Sequence, residues 1–392
     1  MIIDQLRVVG SAQTNKVMIA ELIRVSVRAL GRRPPEPTKE GTGQLIYPFD
    51  PELAATAVTY LRTPTRVVWD LYRVRATRLE ALYELLLADV IADTRAWSGS
   101  VAGISVEARR VDEFPAGERQ VVGTVKNALV EGAQRHGRRL HVEPDRPDLL
   151  LVVRMDDAGD IVVSLDLGGG SLSQRGWRTE SVEAPMREHL AAVLLMLARF
   201  DPRHDILVDP MCGSGTIPIE AALAARGAGR PLTLRCPALA SVWPTQPPAP
   251  LFADAAPVVI GNDIDLGAVV AAKQNGKSAG MDGAITWRRG DLRGLTPGEI
   301  TAIAAERGRT VERGLVLCNP PYGERLDVVD LRLLYGDIGD WLCTLGPGWR
   351  AGFIVDNPEF EPAMGRVLRA DPRIKKPLAN GNLRSYFYLY EP

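Results

Sequence analysis

Cysteine and histidine are both scarce in this chain, with four of each in 392 residues. Cys212, Cys236, Cys318 and Cys343 lie far apart with no Cys-x-x-Cys pair, which excludes a disulfide framework and a zinc site built on thiolates. His136, His141, His189 and His204 show no metal-ligand spacing, so no metal is assigned. An excess of one charge is also missing: 47 Lys and Arg face 48 Asp and Glu, for a formal net charge of −1. That balance excludes a polycation binding nucleic acid by bulk charge, but it leaves room for a local basic face. No apolar run is long enough to span a membrane, and the N-terminus carries no basic segment followed by an apolar stretch. The expectation is a soluble protein of the reducing cytoplasm, with no membrane partner.

What is present is length enough for two or three domains. Four stretches punctuate it. Gly31–Gly43 reads as a loop, Asp166–Glu180 as an interdomain linker, Pro244–Pro250 as an inserted loop, and Leu378–Leu383 carries the Asn-Gly signal of a hairpin. Before the linker the pattern is mixed. "TRVVWDLYRV" alternates as a strand, and "TRLEALYELLLADVI" has helical spacing with Thr77 as N-cap and Glu80 three residues on. "AGISVEARRV" reads as a strand and "RQVVGTVKNALVEGAQRHG" as an amphipathic helix. "PDLLLVVRMD" and "GDIVVSLDLG" then form a hairpin pair of strands. After the linker, "HDILVDP", "APVVIGNDID", "GAITWRRGD", "GLVLCNPP" and "WRAGFIVDN" are short β-rich runs separated by helical stretches. That alternation predicts a parallel sheet wound on both faces, an α/β fold, closed by an antiparallel final strand.

Ligands of such sheets bind outside the carboxyl ends of the strands. Four features lie at those ends. In "VDPMCGSGTIPIEAAL" a strand ends at Asp209, a loop holds Gly213 and Gly215, and a helix begins near Thr216. The glycines let backbone approach a ligand, and the helix start offers N–H groups. The pattern is neither the dinucleotide fingerprint nor a Walker loop. It suits a ligand with a carboxylate and a cationic part facing Asp209, and it equally suits a plain strand-to-helix turn. In "IGNDID", Asp263 is placed to hold ribose hydroxyls, while Asp265 reads as a helix N-cap. In "RRGDL", Asp291 either accepts from an adenine amine or is a surface turn acid. Last, "CNPPYGER" ends a strand at Asn319-Pro320-Pro321-Tyr322. A strand broken by prolines explains Pro320 and Pro321 but not the residues around them. The Asn319 and Pro320 carbonyls suit an exocyclic amine with two hydrogens to donate, and Tyr322 offers a face for a base.

"DPMCGSGT" followed about a hundred residues later by "NPPYGER" resembles the class I S-adenosylmethionine-dependent methyltransferases that act on exocyclic amines. The wider pattern, with "LRTPTRVVWDLYRVRATRLEALYELL", "VVGTVKNALVEGAQRHGRR", "PDLLLVVRMDDAGDIVVSLDLGGGSLSQRGWR" and "APMREHLAAVLL", is similar to the THUMP-containing RNA guanine-N2 methyltransferases, above all the bacterial large-subunit rRNA type. The resemblance implies a Rossmann-like seven-stranded methyltransferase domain over 184–392, a linker over 169–183 and an α+β THUMP-like RNA-binding module over 61–168. It also implies a ferredoxin-like or reduced segment over 1–60, where the match is poor.

By that resemblance Asp209, Pro210, Cys212, Gly213, Gly215 and Thr216 line the methionine and ribose side of S-adenosylmethionine. Asp263 would hold the ribose and Asp291 with Leu292 the adenine. Asn319, which also borders the cofactor, would hold the target base with Pro320, Pro321 and Tyr322. Arg175 and Arg178 are candidates for RNA contact, or else part of a solvated linker. Cys212 reads as a packing residue rather than a nucleophile. His189 stands where the family often has Asn, and the chain ends after one methyltransferase unit where some relatives carry two. The activity implied is methyl transfer to guanine N2 in large-subunit rRNA. The alternatives are a tRNA substrate, adenine N6 as acceptor, and a non-catalytic RNA-binding assembly factor.

Overall fold

The computed structural model describes residues 1–93, 95, 101–180, 185–230, 248–281, 283–321, 331–380 and 383–391. These divide into two compact units: residues 1–10, 18–172 and 229–248, and residues 11–17, 173–228 and 249–392.

The first unit runs β1 (Ile2–Val9), α1 (Asn15–Leu30), β2 (Thr38–Glu40), β3 (Gln44–Pro48), α2 (Pro51–Tyr60), β4 (Arg66–Val74), α3 (Leu79–Ala92), β5 (Val101–Arg109), α4 (Glu118–Arg135), β6 (Arg139–Val142), β7 (Leu149–Met155) and β8 (Ile161–Asp166). Its sheet has the order β2-β3-β1-β4-β8-β7-β5-β6. The first four strands, with α1 and α2 between them, follow the ferredoxin-like βαββαβ order. The boundary read at residue 60 therefore cuts that arrangement before its fourth strand. Two local expectations also need correction. Thr38–Glu40, read as loop, pairs antiparallel with β3 as a short edge strand. Thr77 is not a cap: Arg78 takes the extended N-cap position of α3, with no side-chain capping bond. The other segments fall where periodicity places them, and β7 and β8 pair antiparallel. α2 shows local chemistry setting a boundary, because Asp50 accepts from the Glu52 and Leu53 N–H groups and Pro51 opens the helix. Inside the sheet the fully buried Asp70 accepts from Ser164 Oγ at 2.6 Å and pairs with Arg7 at 2.7 Å and Arg154 at 3.3 Å. Buried carboxylates need such partners.

The second unit runs α5 (Glu188–Leu197), β9 (Asp205–Asp209), α6 (Thr216–Arg226), β10 (Val258–Asp263), α7 (Leu266–Ser278), β11 (Ile285–Arg289), α8 (Pro297–Glu306), β12 (Arg313–Cys318), α9 (Leu331–Leu345), β13 (Trp349–Val355), α10 (Phe360–Leu368), β14 (Ile374–Asn380) and β15 (Leu383–Tyr390). The seven strands order as β11-β10-β9-β12-β13-β15-β14. The strands from β9 to β13 pair in parallel, while β15 is antiparallel to β13 and β14. Asn380 is opposite Leu383, so two residues, outside the described set, join the last strands. The central strands are buried on both faces. Leu207, Leu315 and Leu317 pack among α5 and α6 residues such as Leu194 and Ile219, whereas Ile206, Val208 and Val316 pack among α9 residues such as Tyr335 and Trp341. Two apolar faces explain the near-continuous apolar runs of β9 and β12.

Strand order reverses between β9 and β12. The chain steps outward from β9 to β10 and β11, returns to β12, and steps outward on the other side to β13. The carboxyl ends of β9 and β12 are therefore neighbours at the switch point, where doubly wound sheets leave a crevice. Three glycines fit that end of the sheet against one ring. A Cβ on Gly215, Gly261 or Gly276 would lie 2.7, 2.6 or 3.2 Å from the Trp287 ring. Gly261→Ala should therefore lower stability by about 1–3 kcal/mol, the usual cost of overpacking. Urea unfolding of Gly261→Ala and of Gly261→Ala with Trp287→Phe checks this. The smaller ring should recover part of the loss; no recovery would assign it to another cause.

Candidate functional site

The loop after β9 is built on left-handed backbone. Gly213 has φ 51° and Gly215, the N-cap of α6, has φ 86°. These are conformations that glycine adopts at little cost. No side chain caps α6 and no acid sits in its first turn, so its N–H groups meet no local anion. The loop is tied to the next strand twice. Gly213 N–H donates to Asp263 Oδ2 at 2.9 Å, and Cys212 N–H donates to the Asn262 carbonyl at 2.8 Å. The fully buried Asn262 completes the junction. Its Nδ2 donates to the carbonyls of Pro210 and Gly290, each at 2.9 Å, and its Oδ1 accepts from Arg288 at 2.7 Å. One side chain at the end of β10 thus joins the loops that follow β9 and β11.

These loops enclose a cavity of about 520 Å³, within the range of small-molecule sites. Asp209, Pro210, Cys212, Gly213, Thr216, Asp263, Asp291, Leu292, Asn319, Pro320 and Pro321 all line it. Gly215 does not; it lies behind the wall, against Trp287 and Ala272. Tyr322 lies outside the described residues. Pro185, Met186, Ile264 and Leu334 complete the apolar wall and carried no signal in the sequence, since isolated apolar residues announce nothing about what they face. Asn262 was within reach as a polar residue in an otherwise apolar strand end.

The electrostatics are uneven. Asp209 is 2% exposed, and burial pushes its carboxyl well above the usual range. The Met211 N–H at 3.2 Å and the Cys318 thiol oppose that rise, and the neighbouring Asp263 adds to it. Asp263 accepts from the Asp265 N–H at 2.9 Å, and Asp265 itself caps α7 by accepting from Ala268 N–H. Asp291 is held below the usual carboxylate range by the Arg293 hydrogen bonds, with Oδ1 and Oδ2 each engaged by that guanidinium. An adenine amine at Asp291 would share those oxygens with Arg293. Burial, then the acids Asp209 and Asp263, push the Cys212 thiol well up, which leaves it a protonated packing group and no nucleophile.

At the end of β12, Asn319 Oδ1 is buried and has no hydrogen-bond partner among the described residues. Such a group is costly unless a ligand completes it. Its neighbour Pro321 is fixed from below, where the buried Tyr335 of α9 donates its hydroxyl to the Pro321 carbonyl at 3.1 Å.

The two arginines read as RNA contacts are turned inward. The Arg175 side chain is 2% exposed and pairs with the fully buried Glu220 at 3.2 Å, which corrects that expectation, since a buried, paired guanidinium does not reach a phosphate. Arg178 spends four hydrogen bonds inside its own unit, on Glu188, Ser214, Met186 and Thr216. His189 of α5 is buried between the Ser173 hydroxyl at 2.8 Å and the Ser11 hydroxyl at 3.0 Å. Burial, with Arg175 and Arg187 adding to it, pulls its pKa down to about 4 and keeps it neutral. Among the described residues no cluster of His, Cys, Asp or Glu could hold a metal, and no helix is long and apolar enough to cross a membrane.

A seven-stranded, doubly wound sheet with a glycine loop and an Asn-Pro-Pro end at its switch point defines a Rossmann-like methyltransferase domain. The chain belongs to the family described as RMKL-like, methyltransferase domain, whose pattern matches residues 175–384. Two curated relatives are both named ribosomal RNA large subunit methyltransferase K/L. The one from Syntrophotalea carbinolica is 39% identical over 66% of this chain and 37% of its own length. The one from Cellvibrio japonicus is 33% identical over 90% of this chain and 47% of its own length. The chain thus spans less than half the length of these two relatives. The crystal structure of SMU.472 complexed with S-adenosylhomocysteine shares the fold with a TM-score of 0.77. It is 24% identical and covers 100% of this chain and 98% of that one.

The state of Asp209 leads to a pH prediction. Its folded carboxyl binds a proton more tightly than the unfolded chain does. The resulting stability is fully present below about pH 4, the ordinary carboxylate value, and is lost as pH rises through the folded value. Asp209→Asn, which cannot ionise, should match wild type in the acid range and melt higher above neutrality. Thermal melts from acid to alkaline pH check this, and a parallel pH profile for the two proteins would refute it.

Proposed function

We propose that this protein methylates the exocyclic N2 amine of a guanosine in large-subunit rRNA, using S-adenosylmethionine. The observation that carries the reading is the buried Asn319 Oδ1, without a partner among the described residues, at the switch point and on the wall of the cavity that Asp209, Gly213 and Asp263 also line. The cavity suits the cofactor in size and in chemistry, with an uncapped helix start for a carboxylate, buried Asp209 for a cationic part, and Asp263 for ribose hydroxyls. Asp291 and Leu292 border the adenine side. When bound, the cofactor supplies an electrophilic methyl group.

The chain's own work is to hold the acceptor. An aromatic amine is a poor nucleophile because its lone pair is delocalised into the ring. Asn319 Oδ1 and the Pro320 carbonyl accept its two N–H bonds, which favours a localised lone pair without prior removal of a proton. Tyr335 keeps Pro321 in register for that contact. The base must be unpaired or turned out of its stack to enter. The first unit, including the THUMP-like part over 61–168, serves as the RNA-docking module in the cytoplasm, working by shape and phosphate contacts. The names of the two K/L relatives favour large-subunit rRNA over tRNA as the substrate.

Incubation of unmodified large-subunit rRNA with the protein and S-adenosylmethionine, followed by nucleoside mass spectrometry, should yield N2-methylguanosine. N6-methyladenosine as sole product would replace guanine by adenine as the acceptor. Asn319→Ala should lower the rate of transfer by at least about a hundredfold, the effect of losing an oriented hydrogen-bonding group at a reacting centre. Its affinity for S-adenosylhomocysteine should change little. Wild-type turnover in Asn319→Ala would remove the base-clamp role.

A further inference from the structure

Arg178 sits upstream of the methyltransferase sheet, in a segment that sequence reading treats as linker, yet it is among the most heavily bonded side chains at the site. Its Nε donates to Glu188 Oε1 at 3.0 Å and its Nη1 to Ser214 Oγ at 2.9 Å. Its Nη2 donates to the Met186 carbonyl at 2.9 Å and to Thr216 Oγ1 at 3.1 Å. Four of the five N–H groups of the guanidinium are therefore used. The partners are not scattered. Ser214 and Thr216 flank Gly215 in the loop and first turn of α6, and Met186, with Ser214 and Thr216, lines the cavity. The adjacent chain is clipped to the same place from the other side. Asn275 of α7 accepts the Thr179 and Glu180 N–H groups at 2.9 and 3.0 Å, and it donates to the Glu180 carbonyl at 2.9 Å and the Ser214 carbonyl at 3.1 Å. Asn275 is fully buried.

This arrangement is expensive unless it serves the loop. A cation near the positive end of α6 is unfavourable, and here it is held by an ion pair with Glu188. The glycine backbone that lets the loop approach a ligand also leaves it with many accessible conformations. Hydrogen bonds on either side of Gly215 select one of them. We propose that Arg178 is a positioning residue that fixes the Gly213–Thr216 loop and the Met186 wall in their cofactor-binding arrangement. In this role it acts on cofactor affinity rather than on methyl transfer or RNA binding. The inference rests on the cofactor site described above. It differs from it in assigning a binding role to a residue that need not touch the cofactor.

The test is titration calorimetry of the full chain with S-adenosylhomocysteine, alongside thermal melts and rRNA methylation at varied S-adenosylmethionine. Arg178→Gln should weaken S-adenosylhomocysteine at least about tenfold, as expected for losing charge-assisted bonds. It should raise KM for the cofactor to match and leave kcat at saturating cofactor and KM for RNA close to wild type. Arg178→Lys should stay weaker than wild type, because one ammonium cannot bridge Ser214, Thr216 and Met186 together. If Arg178→Gln does not fold, the lysine variant, which keeps the charge opposite Glu188, carries the same test. Unchanged affinity in a folded variant, or a loss confined to KM for RNA, would overturn the inference alone. Wild-type protein that binds no S-adenosylhomocysteine would overturn the functional reading and the inference with it.

Discussion

The site depends on the junction that Asn262 makes. Three loops leave the carboxyl ends of β9, β10 and β11, and the buried backbone polar groups of that junction need partners. Asn262 takes the carbonyls of Pro210 and Gly290 with its amide nitrogen and the Arg288 guanidinium with its amide oxygen, while its backbone carbonyl receives Cys212. An amide is the one side chain type of this size that donates twice and accepts at once. An acid would offer no donor to the two carbonyls, and an apolar residue would strand all three partners. Because the junction is buried and its amide satisfied, the loops above it stay in place while their outward faces remain available.

Those outward faces hold the groups that are not satisfied. Asp209 is buried against its own ionisation, α6 starts without a side-chain cap, and Asn319 Oδ1 has no partner among the described residues. Each is a small local cost in the folded chain. Together they describe what is to be bound: a cation near Asp209, an anion near α6, and a donor at Asn319. The closely packed Trp287 behind the loop and Tyr335 beneath Pro321 keep these groups from collapsing onto one another. Rigid support with unmet polar groups at the surface of the cavity is the arrangement a binding site requires.

Much of this was legible along the chain because it rests on short-range physics. Short apolar runs leading into Asp209, Asp263 and Asn319 announce parallel strands buried on two faces. Prolines and glycines announce where those strands must stop. Asp265 read correctly as a helix cap because the bond to Ala268 spans only three residues. Thr77 misread for a matching reason: a cap depends on where the helix begins, and α3 begins at Leu79. Arg175 misread because an arginine in a glycine-rich stretch looks solvated until its partner is known, and Glu220 is 45 residues away.

Composition and periodicity by themselves determined the fold class, the strand ends at which chemistry is possible, and the residue types offered there. Each follows from burial, backbone sterics or side-chain chemistry that acts within a few residues. Only the tertiary structure decided which of those residues share a cavity, which atoms in it lack partners, and that Arg178 faces the cofactor loop. Those depend on β9 and β12 becoming neighbours across more than a hundred residues of chain. Strand order is set by how whole faces pack, and no local pattern encodes it.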